Sequence, residues 1–574
     1  MMKIRCLLLV LGLLGAGWFS TIAAAAEYQV INPASYDKML GYLLINRDDV
    51  TLYKKIFRAV KAADFATADK LTAKLGNNIL LGEVLAEKYL HSQYRSSYAE
   101  LSDWLEQYGD MPQSARIYRL ARRKAPQGQD VPPPQSYNEF LADSKLDAAA
   151  KNYLQKEVGK FRRALRKGKT KRARLVLEQP KVRQLLPDAY WDELAAGLAL
   201  KYFVDGYDQL AWQWGTKAAR RRTSGVAPWA AGLAAWRQKH YKDAAAYFSR
   251  LVKSGNTDEW LVSAGGYWAY RAYQRLGQKN NAKQMLQAAA RYKHTFYGIL
   301  AAYQLGETLD YNWDTVAYFN DFNNMDYIYE LLASPYIRRA VILLHAKQPA
   351  LAEKELRFGY AQMNDKQKEA VVFIANQYNL HALAIYASNQ GKDTAQNRSY
   401  DGIAYPVPQW LPNHGWQVDK ALVLGLVRQE SSFKEDAESA AGACGLMQLM
   451  PRTAYHITKD NNLRRNKERL KQAGYNLELG QRYVGYLLNK TFIDGNLFYL
   501  MTAYNAGPGN LVKWQKNTRY GDDALLFIEA IPSAETRIYI ERVMANYWIY
   551  NMRFNLPNPT LEQVAAGAWP VLKK

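Results

Sequence analysis

Glu430 closes an apolar helical pattern. Val423, Leu426 and Val427 recur three and four apart, which predicts a helix. Glu430 falls four residues after Leu426 and three after Val427, so it projects from the apolar face. Desolvation there disfavours the charged carboxylate and raises its pKa. A carboxyl still protonated near neutral pH is what general-acid cleavage of a glycosidic bond requires. The same position also suits a helix-end carboxylate with an arginine partner, because structural carboxylates perturb their pKa values too. The pattern leaves both readings open. A polar turn follows, then Gly442-Ala443-Cys444-Gly445 and Leu446-Met447-Gln448. Glycines at such a place let backbone and a bulky substrate approach closely.

Further candidates come later in the chain. Leu497 to Tyr504 reads as a helix stopped by Asn505-Ala506-Gly507-Pro508-Gly509, which puts Tyr504 near a helix end within reach of a cleft. Ile531-Pro532-Ser533 precedes another helix, with Tyr539, Val543, Tyr547 and Tyr550 as its apolar stripe. Glu535 lies four before Tyr539 and so is placed to face inward. Alternatively it is a first-turn acid complementing the helix dipole, worth a few tenths to ~1 kcal/mol, with Arg537 and Arg542 as partners. Most glycoside hydrolases use two carboxylates, yet Glu435, Asp436 and Glu438 sit in a hydrophilic turn that reads as solvated. The seven histidines are scattered, so no metal-ligand cluster is expected. No phosphate-cradling glycine loop stands out, and no cofactor is expected.

The elements that carry these residues read as helices throughout. From Glu27 to about Tyr400 the sequence is a succession of short amphipathic patterns with abrupt breaks. Trp229 to Leu251 has small residues where helices would approach, and Trp260 to Leu286 repeats the theme with Ala264, Gly265, Tyr273 and Ala282. Such units resemble tetratricopeptide-like hairpins of irregular period, which stack into a curved superhelix. The many aromatics fall at helical spacings among Ala and Leu and are expected in the core. Pro126 to Ser136 is a breaker-rich connection, and a second break lies between Ser388 and Pro412.

A chain of 574 residues, about half of them hydrophobic, divides into two to four globular domains. Residues 1–26 read as an export leader: Lys3 and Arg5, an apolar run from Cys6 to Phe19, then Ala24-Ala25-Ala26. The run is short for a membrane span, and the position of Cys6 argues against a lipid anchor. Loss of the leader leaves Cys444 as the one cysteine and no intramolecular disulfide. The formal charge of +23 points to an anionic polymer or surface. In an exported protein nucleic acid is not the expected partner. Lys160 to Arg174 and Arg220-Arg221-Arg222 concentrate the positive charge, either as contacts to anionic material or as solvated helix faces.

Glu430-Ser431, Gly445-Leu446-Met447-Gln448 and Ala503-Tyr504-Asn505-Ala506-Gly507, in that order, resemble the motifs of the large soluble lytic transglycosylases that cleave bacterial peptidoglycan. Phe296-Tyr297-Gly298-Ile299-Leu300-Ala301 is similar as well. The resemblance implies an all-α chain: a helical superhelix in ring or horseshoe form over 27–323, a helical linker domain over 324–395, and a lysozyme-like catalytic domain over 405–574. It implies a periplasmic enzyme acting on peptidoglycan glycan strands with one catalytic residue, Glu430, first as acid and then as base. Carried over with it are Ser439, Met447, Gln448, Met450, Tyr504, Asn505 and Glu535 as residues lining the glycan cleft. Ser432 and Ser533 depart from the family pattern, which more often has Arg and a bulky aromatic there. Two rival readings stand beside this one: a hydrolytic muramidase on the same fold, which needs a second carboxylate, and a non-enzymatic helical-repeat scaffold.

Overall fold

The computed structural model describes residues 44–129, 131–134, 141, 144–254, 258–314, 325–390, 400–464 and 466–572. The leader expected over 1–26 lies outside them, as do parts of the 126–136 connection and of the break between 388 and 412. Among the described residues every regular element is a helix. Only isolated bridges occur besides, joining Glu438 to Cys444, Cys444 to Leu449 and Asn496 to Val571.

Helices Asp188–Val204, Asp208–Ala219, Val226–Arg237, Tyr241–Lys253, Glu259–Arg275 and Lys279–Ala290 follow one another, each packed on the next. Short connections force such neighbours to run antiparallel. Ala230, Ala231, Ala234 and Ala235 are fully buried and let the backbones close up. At Gly232 a Cβ would stand 2.5 Å from the Phe248 ring, so the missing side chain is what admits that ring. Trp229, Trp236, Phe248 and Trp268 pack edge-on or tilted against one another, with centroids 5.2–6.3 Å apart. Burying a ring of this size contributes roughly 1.5–3 kcal/mol.

One continuous core runs from Leu154 through the superhelix into the last third of the chain as far as Val564. The seam between the two is built by helix Phe296–Leu305. Phe296 stacks on Trp548 at 5.1 Å, the Tyr297 hydroxyl donates to Glu529 at 2.8 Å, and Gln304 donates to the Ala565 carbonyl at 2.7 Å. Arg271 and Asp523 add an ion pair of 2.7 Å across the same seam. A second core joins Ile45–Val84 to residues 328–403, so the first described helices share their packing with a unit almost 300 residues later. Arg339 ties the two stretches. Its Nε donates to Glu355 at 2.5 Å, with Asp110 at 3.3 Å and Glu83 at 3.9 Å. Burial pushes the Glu83 and Glu355 carboxyls upward against the pull of that guanidinium.

Candidate active site

Helix Lys420–Glu430 is capped by Asp419, whose side chain accepts from the Ala421 N–H, and it buries every residue from Ala421 to Val427. That burial fixes the helix, and its last residue is Glu430. Among the described residues no arginine pairs with Glu430. Arg428, the nearest candidate in sequence, donates to the Ala404 carbonyl and to Asn546, both at 2.8 Å, and lies 4.1 Å over the Tyr405 ring. Instead the Tyr539 hydroxyl donates to Glu430 Oε1 at 2.6 Å. Burial raises the Glu430 carboxyl to about 7; the Tyr539 bond pulls it down and the charge of Glu535 pushes it up. Of the two readings that the sequence leaves open, the geometry favours a desolvated acid.

The chain turns sharply after Glu430. Ser432 and Phe433 have φ of 49° and 65°, a left-handed region that side chains other than glycine seldom enter. Phe433 is buried, its ring edge-on to His381 at 6.1 Å, and His381 meets Trp410 at 5.9 Å. The 381–390 helix thus buttresses the turn beside the carboxyl. Burial holds the His381 imidazole below its ordinary value, which keeps it neutral in that aromatic setting.

The loop from Ala437 to Leu449 is folded by its own hydrogen bonds. Ser439 Oγ accepts from the Ala443 N–H at 3.0 Å, and the Gln448 amide donates to the carbonyls of Ala437 and Gly445 at 3.1 and 2.9 Å. At Gly445, with φ of +76°, a Cβ would stand 2.2 Å from the Leu470 carbonyl. What approaches this glycine is the protein itself, where the sequence reading looked for substrate. Asn476 secures the loop from beneath: it accepts from the Met447 N–H at 2.8 Å and donates to the carbonyls of Cys444 and Leu470. Met447 is fully buried and its sulfur lies over Gly480, so its side chain serves packing. Met450 is 39% exposed at the start of helix Pro451–Thr458.

Tyr504 lies in helix Leu497–Ala506, which ends on Gly507 at φ +89°. Its hydroxyl donates to the Met447 carbonyl at 2.8 Å, and burial together with the Glu430 charge raises it well above its ordinary value. Asn505 accepts from the Thr536 hydroxyl at 2.7 Å, joining that helix to Ala534–Arg553. Ser533 caps the latter by accepting from the Thr536 N–H, a use for the serine that departs from the family pattern. Glu535 is exposed in the first turn and does not face inward. The stripe behind it, Tyr539, Val543, Tyr547 and Tyr550, is buried.

Glu430, Tyr504, Tyr539 and the Met447 carbonyl are therefore brought together, with Glu535 close enough to act on Glu430 through its charge. Ser439 and Gln448 shape the adjoining loop. Glu435 and Asp436 are exposed, as is Glu438, which pairs with Lys467 at 2.6 Å and Lys471 at 3.7 Å. Tyr539 and Asn476 are the residues that sequence reasoning missed. A buried tyrosine must find a partner for its hydroxyl, and that was the available signal for the first. No group of three or more His, Cys, Asp or Glu able to hold a metal occurs among the described residues.

Residues 412–527 match the family described as the Transglycosylase SLT domain. Over 303 residues the chain is 28% identical to the soluble lytic murein transglycosylase of Salmonella typhimurium, covering 52% of this chain and 44% of that protein. Over 326 residues it is 27% identical to the protein of that name from Escherichia coli (strain K12), covering 56% of this chain and 48% of the relative. The aligned part thus spans about half the length of these curated relatives. In fold the likeness is wider. The crystal structure of the 70 kDa soluble lytic transglycosylase of Escherichia coli superimposes with a TM-score of 0.55 at 17% identity, over 90% of this chain and 98% of that one. An inactive mutant of the lytic transglycosylase Slt from Pseudomonas aeruginosa gives 0.52 at 18%, over 92% and 91%. Residues 412–527 thus match the transglycosylase SLT domain, in a chain that is helical among its described residues and similar to the soluble lytic transglycosylases in sequence and in fold.

Proposed function

We propose that this chain is a periplasmic lytic transglycosylase that cuts the β-1,4 bond between N-acetylmuramic acid and N-acetylglucosamine in peptidoglycan without consuming water. Glu430 protonates the glycosidic oxygen as the bond breaks, and the muramyl acetamido group stabilises the positive charge at C1. The resulting carboxylate takes the proton of the muramyl C6 hydroxyl as that oxygen attacks C1, which closes a 1,6-anhydro ring. One group performs both transfers, so its pKa must lie where either state is reachable. The observation that carries this reading is the Glu430 carboxyl itself: raised by burial to about 7 and held by a neutral tyrosine instead of a cation. Ser439, Gln448, Met450, Tyr504 and Asn505 would border the glycan in this reading. Met447 would contribute through its backbone.

A hydrolytic muramidase is the second reading, favoured by the charge of Glu535 acting on Glu430. Glu535 would then activate a water, the role of the second carboxylate in such enzymes. Mass analysis of the products released from purified sacculi separates the two. Transglycosylation leaves ends one water lighter than hydrolysis does, and ends of the hydrolysed mass would overturn the proposal.

A further inference from the structure

Helix Ser114–Lys124 carries a charge pattern that the site does not use. Arg116, Arg119, Arg122 and Arg123 are all exposed and together line one depression of the surface. Their spacings of three and four place them along one side of the helix. Among the described residues none forms an ion pair: Arg119 donates to the Ala115 carbonyl at 3.1 Å, and Arg122 lies 5.8 Å over Tyr118. Asp103 and Glu106 of the neighbouring helix Tyr98–Tyr108 are exposed and form no ion pair with these arginines. In the two basic stretches conspicuous in the sequence, three of the cations are paired. Lys160 pairs with Glu157 at 2.6 Å, Arg174 with Glu178 at 3.6 Å, and Arg221 grips Asp192 through two nitrogens. Lys160 and Arg174 are held within their own helices and Arg221 by the helix Asp188–Val204, whereas the four arginines line one depression and leave a local positive field there.

Guanidinium forks match oxyanions, above all carboxylate and phosphate, in geometry as well as charge. The opposite face of the helix, Ile117, Tyr118 and Ala121, is buried against Leu101 and Trp104, and the helix has no exposed large hydrophobic residue. It therefore has nothing to insert between lipid chains, as an interfacial helix must. This favours a water-facing anionic polymer over a membrane. We propose that the arginine face of Ser114–Lys124 binds the carboxylate-bearing peptide stems of peptidoglycan, holding the polymer at a second place away from Glu430. The choice of polymer rests on the function proposed above; the oxyanion chemistry does not.

Cosedimentation of the full chain with purified sacculi tests this, in a Glu430→Gln background and in the cold so that the polymer persists. Reversal of three charges, Arg119→Glu, Arg122→Glu and Arg123→Glu, is expected to lower retention at low salt about tenfold, with the difference shrinking as salt rises. Sacculi whose stem carboxyls have been amidated are expected to retain the parent chain as poorly. Reversal at Arg163, Arg166 and Lys167, exposed on another helix, controls for net charge and is expected to change retention by less than about twofold. If circular dichroism shows the first variant unfolded, the same three positions changed to Gln replace it, with about a threefold loss expected. An equal loss in the control, undiminished binding to amidated sacculi, or tighter binding to anionic vesicles than to sacculi through these arginines would each overturn the proposal. The assay counts bound chain and not product, so it can fail while anhydro ends still form, and the reverse.

Discussion

Glu430 and Glu355 are both carboxyls pushed upward by burial, but their neighbours differ. Glu430 ends a helix beside a turn, is half-buried, and receives one hydrogen bond from a neutral tyrosine. Glu355 is 1% exposed, shares Arg339 with Glu83, and lies between helices that close the first part of the chain onto residues 328–403. Among the described residues neither oxygen of Glu83 has a partner in hydrogen-bond geometry. A perturbed carboxyl marks a candidate site only under two further conditions. It must be reachable, and no cation may hold its charge. Glu430 meets both, and the Glu83–Arg339–Glu355 group meets neither.

The largest effects should fall on opposite properties of the two regions. Glu430→Gln removes the transferable proton and is expected to lower sacculus cleavage by ~10²–10⁴-fold, the usual worth of general acid–base catalysis. Its unfolding midpoint should not fall. Because the wild-type carboxyl is raised to about 7, its stabilising contribution is complete below the ordinary carboxylate range and lost as pH rises through about 7. The amide escapes that loss, so the variant should be the more stable partner at alkaline pH. Release of soluble muropeptides and urea unfolding check the two halves, and near-normal cleavage by the variant would remove Glu430 from the mechanism.

Arg339→Met should do the converse. Leaving buried carboxyls without their cation costs ~3–5 kcal/mol when they are charged. Glu83 and Glu355 both have raised values, so the stability they confer is present below the ordinary carboxylate range and lost as pH climbs through those values. Without the guanidinium both rise further. The cost of the substitution should therefore be small in acid, where the carboxyls carry protons, and large in alkali. Urea midpoints across that range would show it, while cleavage per folded molecule stays close to wild type.

Tyr539→Phe tests the partner that distinguishes Glu430. Its hydroxyl favours the ionised carboxyl, so its loss should move the alkaline limb of the pH–rate profile upward. The carboxylate formed in the first step would be less stabilised, and the rate should fall about tenfold, in keeping with a hydrogen bond to a charged group. An unshifted limb would mean that the bond does not form in the working enzyme.

How far these features could be read in the sequence depended on the range of the interactions that make them. Glu430 was legible because local periodicity alone sets it at the end of an apolar face, and the helical character of the chain was legible for the same reason. Tyr539 was read as one more ring in an apolar stripe, since periodicity reports a residue's face and not where its hydroxyl ends. Arg339 meets Glu83 across more than 250 residues, and no local pattern announces such a pairing. Gly445 and Asn476 belong to the same class. The glycine looked like room for substrate, but the Leu470 carbonyl and the Asn476 amide occupy it. Glu535 failed for a different reason: the stripe rule places a residue on a face, whereas in the first turn nothing yet packs above it.

That exposed carboxylate gives the smallest effect and the sharpest discrimination. In the transglycosylase reading Glu535 acts on Glu430 only through space, raising its pKa by like-charge repulsion. Glu535→Gln should then lower the Glu430 value, so that less of the acid form remains at neutral pH and the alkaline limb shifts downward. The rate should fall by less than about threefold, and because the interaction crosses solvent the shift should fade as ionic strength rises. The anhydro mass of the products should not change. If the same variant instead loses cleavage as completely as Glu430→Gln does, with hydrolysed ends in the wild-type digest, then Glu535 is a second catalytic carboxylate. Glu430 would in that case need a partner to activate water, and it would no longer work alone.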